Sequence, residues 1–477
     1  MKFKREAVLF SALIIFLFLL GLFLIKANSL LLWDENIFLG NARSHISLSN
    51  FTEDFKFPLL EYLIAFVWFF IGESVFSARI LSLLLYLLSV FIFYLIMKRI
   101  FNNDKKSLLF SIFFAIAPVM LYWSFRVYAD ILSMVLSLSA VYFLIRYEQS
   151  KAKPIFIILT GLFSSMAFLA RFALGIFAFS VFIYLILRKD KKGLLLFALS
   201  SFIFVLPWLI YNWISYGNIL WDLMYYQSGM NLWTTREPIF KEIVNICINL
   251  GFLIVFLIPG IFCFVRRVIN EIKRKKIEIF SFFFIYLSLS LVYYTFFINL
   301  KDERYVLIML PFFLILSFLG LNYLEKRISL FNRKLRIICS IFIVLLLFSS
   351  AIFFINFSIN KFYNTSECQK ENALFYSMNY IKNNSLLSEE DTFISNYWPY
   401  YAYYFNARGY AIWDSNLEDK IKEYNPGLVI LKEHDGTSYN ETSFNKSSSI
   451  ILLQNFSDKC NNKIRVYAIN SSTSSLS

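Results

Sequence analysis

Residues Val8 to Ile25 read VLFSALIIFLFLLGLFLI, an unbroken apolar run preceded by the basic start Met1-Lys2-Phe3-Lys4-Arg5. Eighteen residues, apolar but for Ser11, at 1.5 Å per residue match the roughly 30 Å hydrocarbon core of a membrane. A buried helix of a soluble protein would show a polar stripe on one face; this run is apolar all round. No small-residue cleavage site follows it, so it reads as a retained first helix with a cytoplasmic N-terminus rather than a removed signal. Runs of the same kind recur through residue 358. The whole chain is 58% hydrophobic over 477 residues, with 57 Phe, against about 45–50% in soluble domains.

The net charge of +14 is not that of a nucleic-acid binder. Residues 359–477 hold 11 basic and 13 acidic residues, a net of −2, so the first 358 carry +16. Much of that excess lies in short connections between apolar runs, where positive charge marks the cytoplasmic side. The basic connections are Lys98-Arg99 with Lys105-Lys106, Arg146 to Lys153, Arg188 to Lys192, Arg266 to Lys276 and Lys326 to Arg336. All five fall on one side if about eleven helices cross, at 6–26, 76–97, 107–123, 128–147, 154–170, 172–187, 193–213, 243–265, 279–299, 304–325 and 337–358. The stretch Pro58 to Gly72 must then lie in the outer interface, because a crossing there would turn every later basic loop outward. The expected organisation is a transmembrane module over 1–358, with a first outer loop at 27–57 and an interfacial helix at 58–72. A soluble extracytoplasmic domain follows over 359–477.

That last segment changes character. Residues 391–395, 410–413, 428–431, 450–453 and 464–469 read as strands, and Leu417 to Tyr424 as a helix ended by Asn425-Pro426-Gly427. This predicts a small α/β domain with a Ser-rich end. Asn-X-Ser/Thr sequons begin at Asn50, Asn356, Asn364, Asn383, Asn440, Asn445, Asn455 and Asn470, none in an expected cytoplasmic loop. Cys247, Cys263 and Cys339 lie in apolar runs and read as packing residues. Cys368 and Cys460 are either a disulfide of an oxidising compartment or two free thiols.

The chemistry-bearing residues gather at the outer helix ends. Trp33-Asp34-Glu35 opens the first outer loop and Lys56-Phe57-Pro58 closes it. Arg79 opens the second span, Arg126 and Asp130 flank a short turn, Arg171 lies in another, and Lys301-Asp302-Glu303-Arg304-Tyr305 forms a third. Cations on the outer side run against the orientation bias. One alone is explained by a headgroup contact; several beside acids suit a phosphate and a proton acceptor. The Trp- and Tyr-rich outer loop with Trp221, Tyr225, Tyr226 and Trp233 reads as an interfacial belt or a sugar platform. His45 and His434 have no metal-ligand company, and no Asp-x-Asp stands in the first outer loop, so no metal or cofactor is expected.

The first 330 or so residues resemble the GT-C membrane glycosyltransferases, the branch with protein O-mannosyltransferases and the lipid A aminoarabinose transferases. Asp34-Glu35-Asn36-Ile37-Phe38 with Ala42 is similar to its Asp-Glu-x-x-Tyr-x-x-x-Ala motif. Phe57 to Leu63 resembles its Pro-Pro-Leu-x-Tyr-Trp segment with one Pro lost and the Trp replaced. Ser77-Ala78-Arg79-Ile80, Arg126 to Asp130 (with Ala129 departing) and Lys301 to Tyr305 with Pro311 resemble three further elements in order.

The resemblance implies an inverting transfer of sugar from a polyprenyl-phosphate donor, with Asp34 as general base and Asp130 orienting acceptor or sugar. Arg304, Lys301 and Arg79 would stabilise the leaving phosphate, with Arg126, Lys56 and Tyr305 as further donor contacts. Glu35 would be structural or sugar-binding, and Arg171 a phosphate contact or a headgroup anchor. The partners implied are the lipid-linked sugar, membrane lipids and a lipid, glycan or protein acceptor. A flippase or other transporter of lipid-linked saccharides would use the same cations without making a bond. An oligosaccharide ligase or polymerase shares the aromatic loops but does not call for the Asp-Glu element. Trp398-Pro399-Tyr400-Tyr401 and Trp413-Asp414 lack the Trp-Trp-Asp doublet of oligosaccharyltransferases.

Overall fold

A computed structural model describes all residues except 1–4, 29, 48–55, 151, 225–236, 371, 413–416, 434–449, 459–461 and 470–477, and the side chains of 364–370 and 418. The calls on Tyr225, Tyr226, Trp233, Trp413-Asp414, His434 and the Cys368–Cys460 pair therefore lie outside the described residues. The chain divides into two compact units. One comprises Met1–Leu24, Phe55–Leu60 and Arg79–Lys361; the other comprises Ile25–Asp54, Glu61–Ala78 and Phe362–Ser477.

The first unit is a helical bundle. Among the described residues, eight helices are long and apolar enough to cross a membrane, from Arg5–Ala27 to Arg333–Tyr363. Pro154–Ala170 and Phe172–Leu187 are shorter apolar helices. The span expected at 107–123 is broken: helix Asp104–Ile116 ends at Ala117, which takes an extended ψ of 138°, and Pro118–Trp123 starts anew. Proline disfavours the helical conformation at the residue before it and fits the first helical position itself. With these three, the described residues of the bundle include eleven apolar segments, at the positions the sequence predicts.

Serine hydroxyls within the spans, such as Ser133, Ser137 and Ser164, donate to carbonyls three or four residues back, so they need no water. Helices Ile254–Lys273 and Arg304–Ile328 meet most closely. A Cβ added at Gly260 would run into the carbonyl of Leu316, and one at Gly320 into the carbonyl of Phe256. Both obstacles are backbone, which cannot rotate aside, so the glycines set the helix spacing. Gly260→Ala is expected to cost about 1–3 kcal/mol or more, read as a lower thermal midpoint in detergent. An unchanged midpoint would contradict this packing.

The second unit is an α/β assembly that takes in more than the C-terminal segment. Five strands, β1 Thr392–Ser395, β2 Arg408–Ala411, β3 Leu428–Glu433, β4 Ile450–Ser457 and β5 Lys463–Ile469, form one sheet in the order β2-β1-β3-β5-β4. β1 runs parallel to β2 and β3, while β5 is antiparallel to β3 and β4. The strands and helix Leu417–Tyr424 match the sequence pattern; helices Ala373–Asn383 and Trp398–Phe405 do not appear in it. Trp398, Tyr400 and Tyr401 are core residues of this unit. The expected first outer loop is also corrected, because it contains helix Trp33–Ser47. Its Ile37 joins the same hydrophobic core as Phe393, Leu428 and Ile430, with Trp33 packed against it.

Candidate active site

The expected site residues fall into two sets, one in each unit. In the second unit, Asp34 sits half-buried in the first turn of helix Trp33–Ser47, where free backbone N–H groups favour a negative charge. Glu35 is fully buried and accepts a hydrogen bond from the Leu32 amide at 2.9 Å. Asn36 Nδ2 donates to the Leu32 carbonyl at 2.8 Å. Glu35 and Asn36 thereby brace the turn that presents Asp34.

Three further contacts hold this helix. The Trp33 ring meets Tyr397 and Tyr400 edge-on at 5.4 and 6.0 Å between centroids. Arg43 Nη1 donates to the Tyr403 carbonyl at 2.8 Å and its guanidinium lies 4.4 Å from that ring. Asn41 Nδ2 donates to Glu61 Oε2 at 2.7 Å, with His45 Nε2 3.2 Å from the other oxygen. His45 is thus an organising residue of the segment, and Glu61, buried on helix Leu59–Ile71, is its anchor. The C-terminal domain and the Asp34 helix are one packed body.

In the first unit, charged side chains are buried in an apolar bundle. Arg126 and Lys301 are 0% exposed, and Arg79 and Asp130 are buried as well. Ionisable groups in such surroundings are costly and mark function by default. The segment 118–128 organises them. Its start is pinned by Asn249 Oδ1, which accepts from the Val119 amide at 2.8 Å, one of the orphan donors at a helix start. Arg126 lies 4.5 Å from the Tyr122 ring and 5.4 Å from Phe125, and Arg79 lies 5.8 Å from Phe125 on the same platform. Arg304 lies 4.9 Å from the Tyr128 ring and 5.3 Å from Trp123, and its Nε donates to Asp302 Oδ2 at 2.8 Å. Cation–π contacts of this kind fix the plane of a guanidinium, the group that pairs bidentately with phosphate.

Arg171 is ion-paired with Asp130 and lies 5.1 Å from the ring of Tyr305, which stacks on Tyr294 at 5.1 Å. Helix Ile279–Val292 ends in a π-helical turn, Tyr293–Phe297. The Lys301 ammonium donates to the carbonyls of Tyr294, Thr295 and Ile298, the Thr295 contact being 2.9 Å. A π-turn leaves carbonyls for such a cation, and the helix C-terminus favours its charge. Lys301 thus spends its donors on backbone, and what it offers a ligand in this arrangement is charge. Lys56 stands half-buried in the turn before helix Leu59–Ile71, beside Phe57, which packs on Phe168, Phe172 and Trp208.

Sequence reasoning missed Lys361. It is ion-paired with Glu303, and its Nζ lies 3.9 Å from the ring of Tyr122, the ring that Arg126 also faces. Trp123 Nε1 donates to Glu303 Oε1 at 3.2 Å. The aromatic doublet Tyr122-Trp123 before Arg126 was the available signal; Lys361 lay past the last apolar run and carried none. Among the described residues no group of His, Cys, Asp and Glu is arranged to hold a metal ion.

Both units together form the fold of the GT-C membrane glycosyltransferases. Residues 56–211, about a third of the chain, match the family of dolichyl-phosphate-mannose-protein mannosyltransferases. The crystal structure of ArnT from Cupriavidus metallidurans bound to undecaprenyl phosphate superposes with a TM-score of 0.68, covering 96% of this chain and 97% of that one at 10% identity. The oligosaccharyltransferase AglB from Archaeoglobus fulgidus, in complex with an inhibitory peptide and a dolichol-phosphate, gives 0.58 over 89% of this chain and 69% of that one, at 12% identity. No curated protein sequence matches the chain. The chain therefore has the fold of the GT-C membrane glycosyltransferases, with its activity open to proposal.

Proposed function

We propose that the chain transfers a sugar from a polyprenyl phosphate to an acceptor at the outer face of the cell membrane, with its N-terminus cytoplasmic and the 359–477 domain outside. The observation that carries this reading is the set of guanidinium groups held on aromatic rings at one end of the bundle: Arg79 and Arg126, both buried, and the half-buried Arg304. Guanidinium pairs bidentately with phosphate, and a low-dielectric setting strengthens the pairing.

In the reaction, Asp34 removes the proton of the acceptor hydroxyl as its oxygen forms a bond to the anomeric carbon from the face opposite the phosphate. The bond between that carbon and the phosphate oxygen breaks, and its electron pair leaves with the polyprenyl phosphate. Arg304, Arg79 and Arg126 stabilise the charge that develops there, with Lys301 adding its charge and Lys56 and Tyr305 bordering the donor. Asp130, held by Arg171, orients the acceptor or the sugar. Protonated Asp34 then returns its proton to water, and inversion follows from the single displacement.

Binding of bare polyprenyl phosphate to the purified protein in nanodiscs tests the cationic half of this reading. Arg304→Gln removes a charged hydrogen-bond donor and is expected to weaken binding by about tenfold or more. A variant that binds as wild type does would remove Arg304 from the phosphate site.

A further inference from the structure

Glu242 belongs to none of the motifs above. It lies in the first turn of helix Ile239–Leu250, is 2% exposed, and neither carboxylate oxygen has a hydrogen-bond partner among the described residues. A buried acceptor left unfilled costs stability, and a buried carboxylate costs more than a neutral group. A helix N-terminus favours its charge but fills neither oxygen.

The surroundings of Glu242 are otherwise well satisfied. Asn245 and Asn249, three and seven residues on, share its helix face. Asn245 Nδ2 donates to the Lys301 carbonyl at 3.1 Å, and Asn249 receives the Val119 amide. Glu237 accepts from the Lys301 amide at 2.6 Å and from Lys241 Nζ at 2.5 Å. Burial works against the charge of Glu237, yet these two hydrogen bonds outweigh it and hold its pKa below the ordinary carboxylate range. The face that bears Glu242 is therefore fastened to two of the chain segments that carry guanidinium groups, 118–128 with Arg126 and 299–304 with Arg304. The charges that act on Glu242 are Lys301 and Asp302.

A carboxylate kept only to balance Lys301 would draw that flexible ammonium onto itself. Instead the ammonium is given to three carbonyls, and Glu242 forms no ion pair among the described residues. We propose that Glu242 is a specificity-determining residue of the donor site, whose two oxygens accept hydrogen bonds from hydroxyl groups of the sugar on the polyprenyl phosphate. Sugar hydroxyls are neutral donors spaced to fill both oxygens of one carboxylate, and they bring no second charge into the bundle. The inference rests on the donor reading proposed above.

The test compares wild type, Glu242→Gln and Glu242→Asp in nanodiscs, with polyprenyl-phosphate mannose, polyprenyl-phosphate glucose and bare polyprenyl phosphate as probes. Wild type is expected to bind at least one sugar-bearing lipid more tightly than the bare one. Glu242→Gln, close to isosteric, should lose about tenfold or more on that lipid, with the bare lipid bound no more weakly and the thermal midpoint no lower than in wild type. Glu242→Asp should retain part of the gain. The inference is overturned if Glu242→Gln binds the sugar-bearing lipid as wild type does, weakens both lipids alike, or if wild type gains nothing from either sugar. Wild type that binds none of the three lipids contradicts the donor reading itself.

Discussion

Asp34→Asn is expected to lower the rate of sugar transfer by about 10²–10⁴-fold while donor affinity stays within a small factor of wild type. The amide keeps the size of the side chain, so packing around Trp33 and Glu35 should survive. What it loses is a basic oxygen able to accept the proton of the acceptor hydroxyl. A residual rate is expected, because the guanidinium groups still stabilise the leaving phosphate. Single-turnover kinetics on donor-loaded protein would separate the chemical step from binding. A fall in affinity with an unchanged chemical step would place Asp34 in substrate binding and send the search for the base to Asp130.

Arg171→Ala is expected to be the most destabilising of the single substitutions. Asp130 is buried, and Arg171 is its ion-pair partner. Removing one member of a buried pair strands the other charge, at a cost of about 3–5 kcal/mol. The double variant Asp130→Asn with Arg171→Ala should recover much of that loss, since no charge is then left unpaired. Thermal unfolding in detergent reads both. If the single and double variants unfold at the same temperature, the pair is not the source of the stability and Arg171 acts elsewhere.

The bundle was legible in the sequence because a membrane imposes one requirement on every span, about 20 apolar residues with all backbone groups satisfied internally. The break at Ala117-Pro118 was hidden inside a run that is apolar on both sides of it, and only the proline marked it. Helix Trp33–Ser47 was invisible for a different reason. Its sequence, WDENIFLGNARSHIS, has no amphipathic period, since polar residues are spread around it and are paid for by distant partners. Asn41 meets Glu61 twenty residues away, and Arg43 meets the Tyr403 carbonyl 360 residues away. No local pattern encodes contacts at that separation.

The candidate site divides along the same line. Asp34, Arg79, Arg126, Asp130 and the 301–305 cluster stood at helix ends next to residues of unlike polarity, so spacing and the orientation bias revealed them. Their partners did not stand out. Tyr122 and Trp123 look like interfacial aromatics, Lys361 like an ordinary charge past the last span, and Glu242 like the start of an apolar run. Each is singled out by a tertiary contact, or in the case of Glu242 by the lack of one among the described residues. The role of the 359–477 segment was also beyond reach, because its packing on the Asp34 helix depends on a core shared by Ile37, Phe393 and Ile430.

The central claim is that a bond is made and a phosphate released. Purified wild-type protein in proteoliposomes, given isotope-labelled polyprenyl-phosphate mannose or glucose and extracted cell-envelope material as acceptor, tests it by mass spectrometry of the extracted lipids. The account predicts bare polyprenyl phosphate appearing one for one with glycosylated acceptor, and both products forming about 10²–10⁴-fold more slowly with Asp34→Asn. Donor that crosses the bilayer intact, with no phosphate released and no acceptor labelled, would contradict it and make the chain a transporter of lipid-linked saccharides.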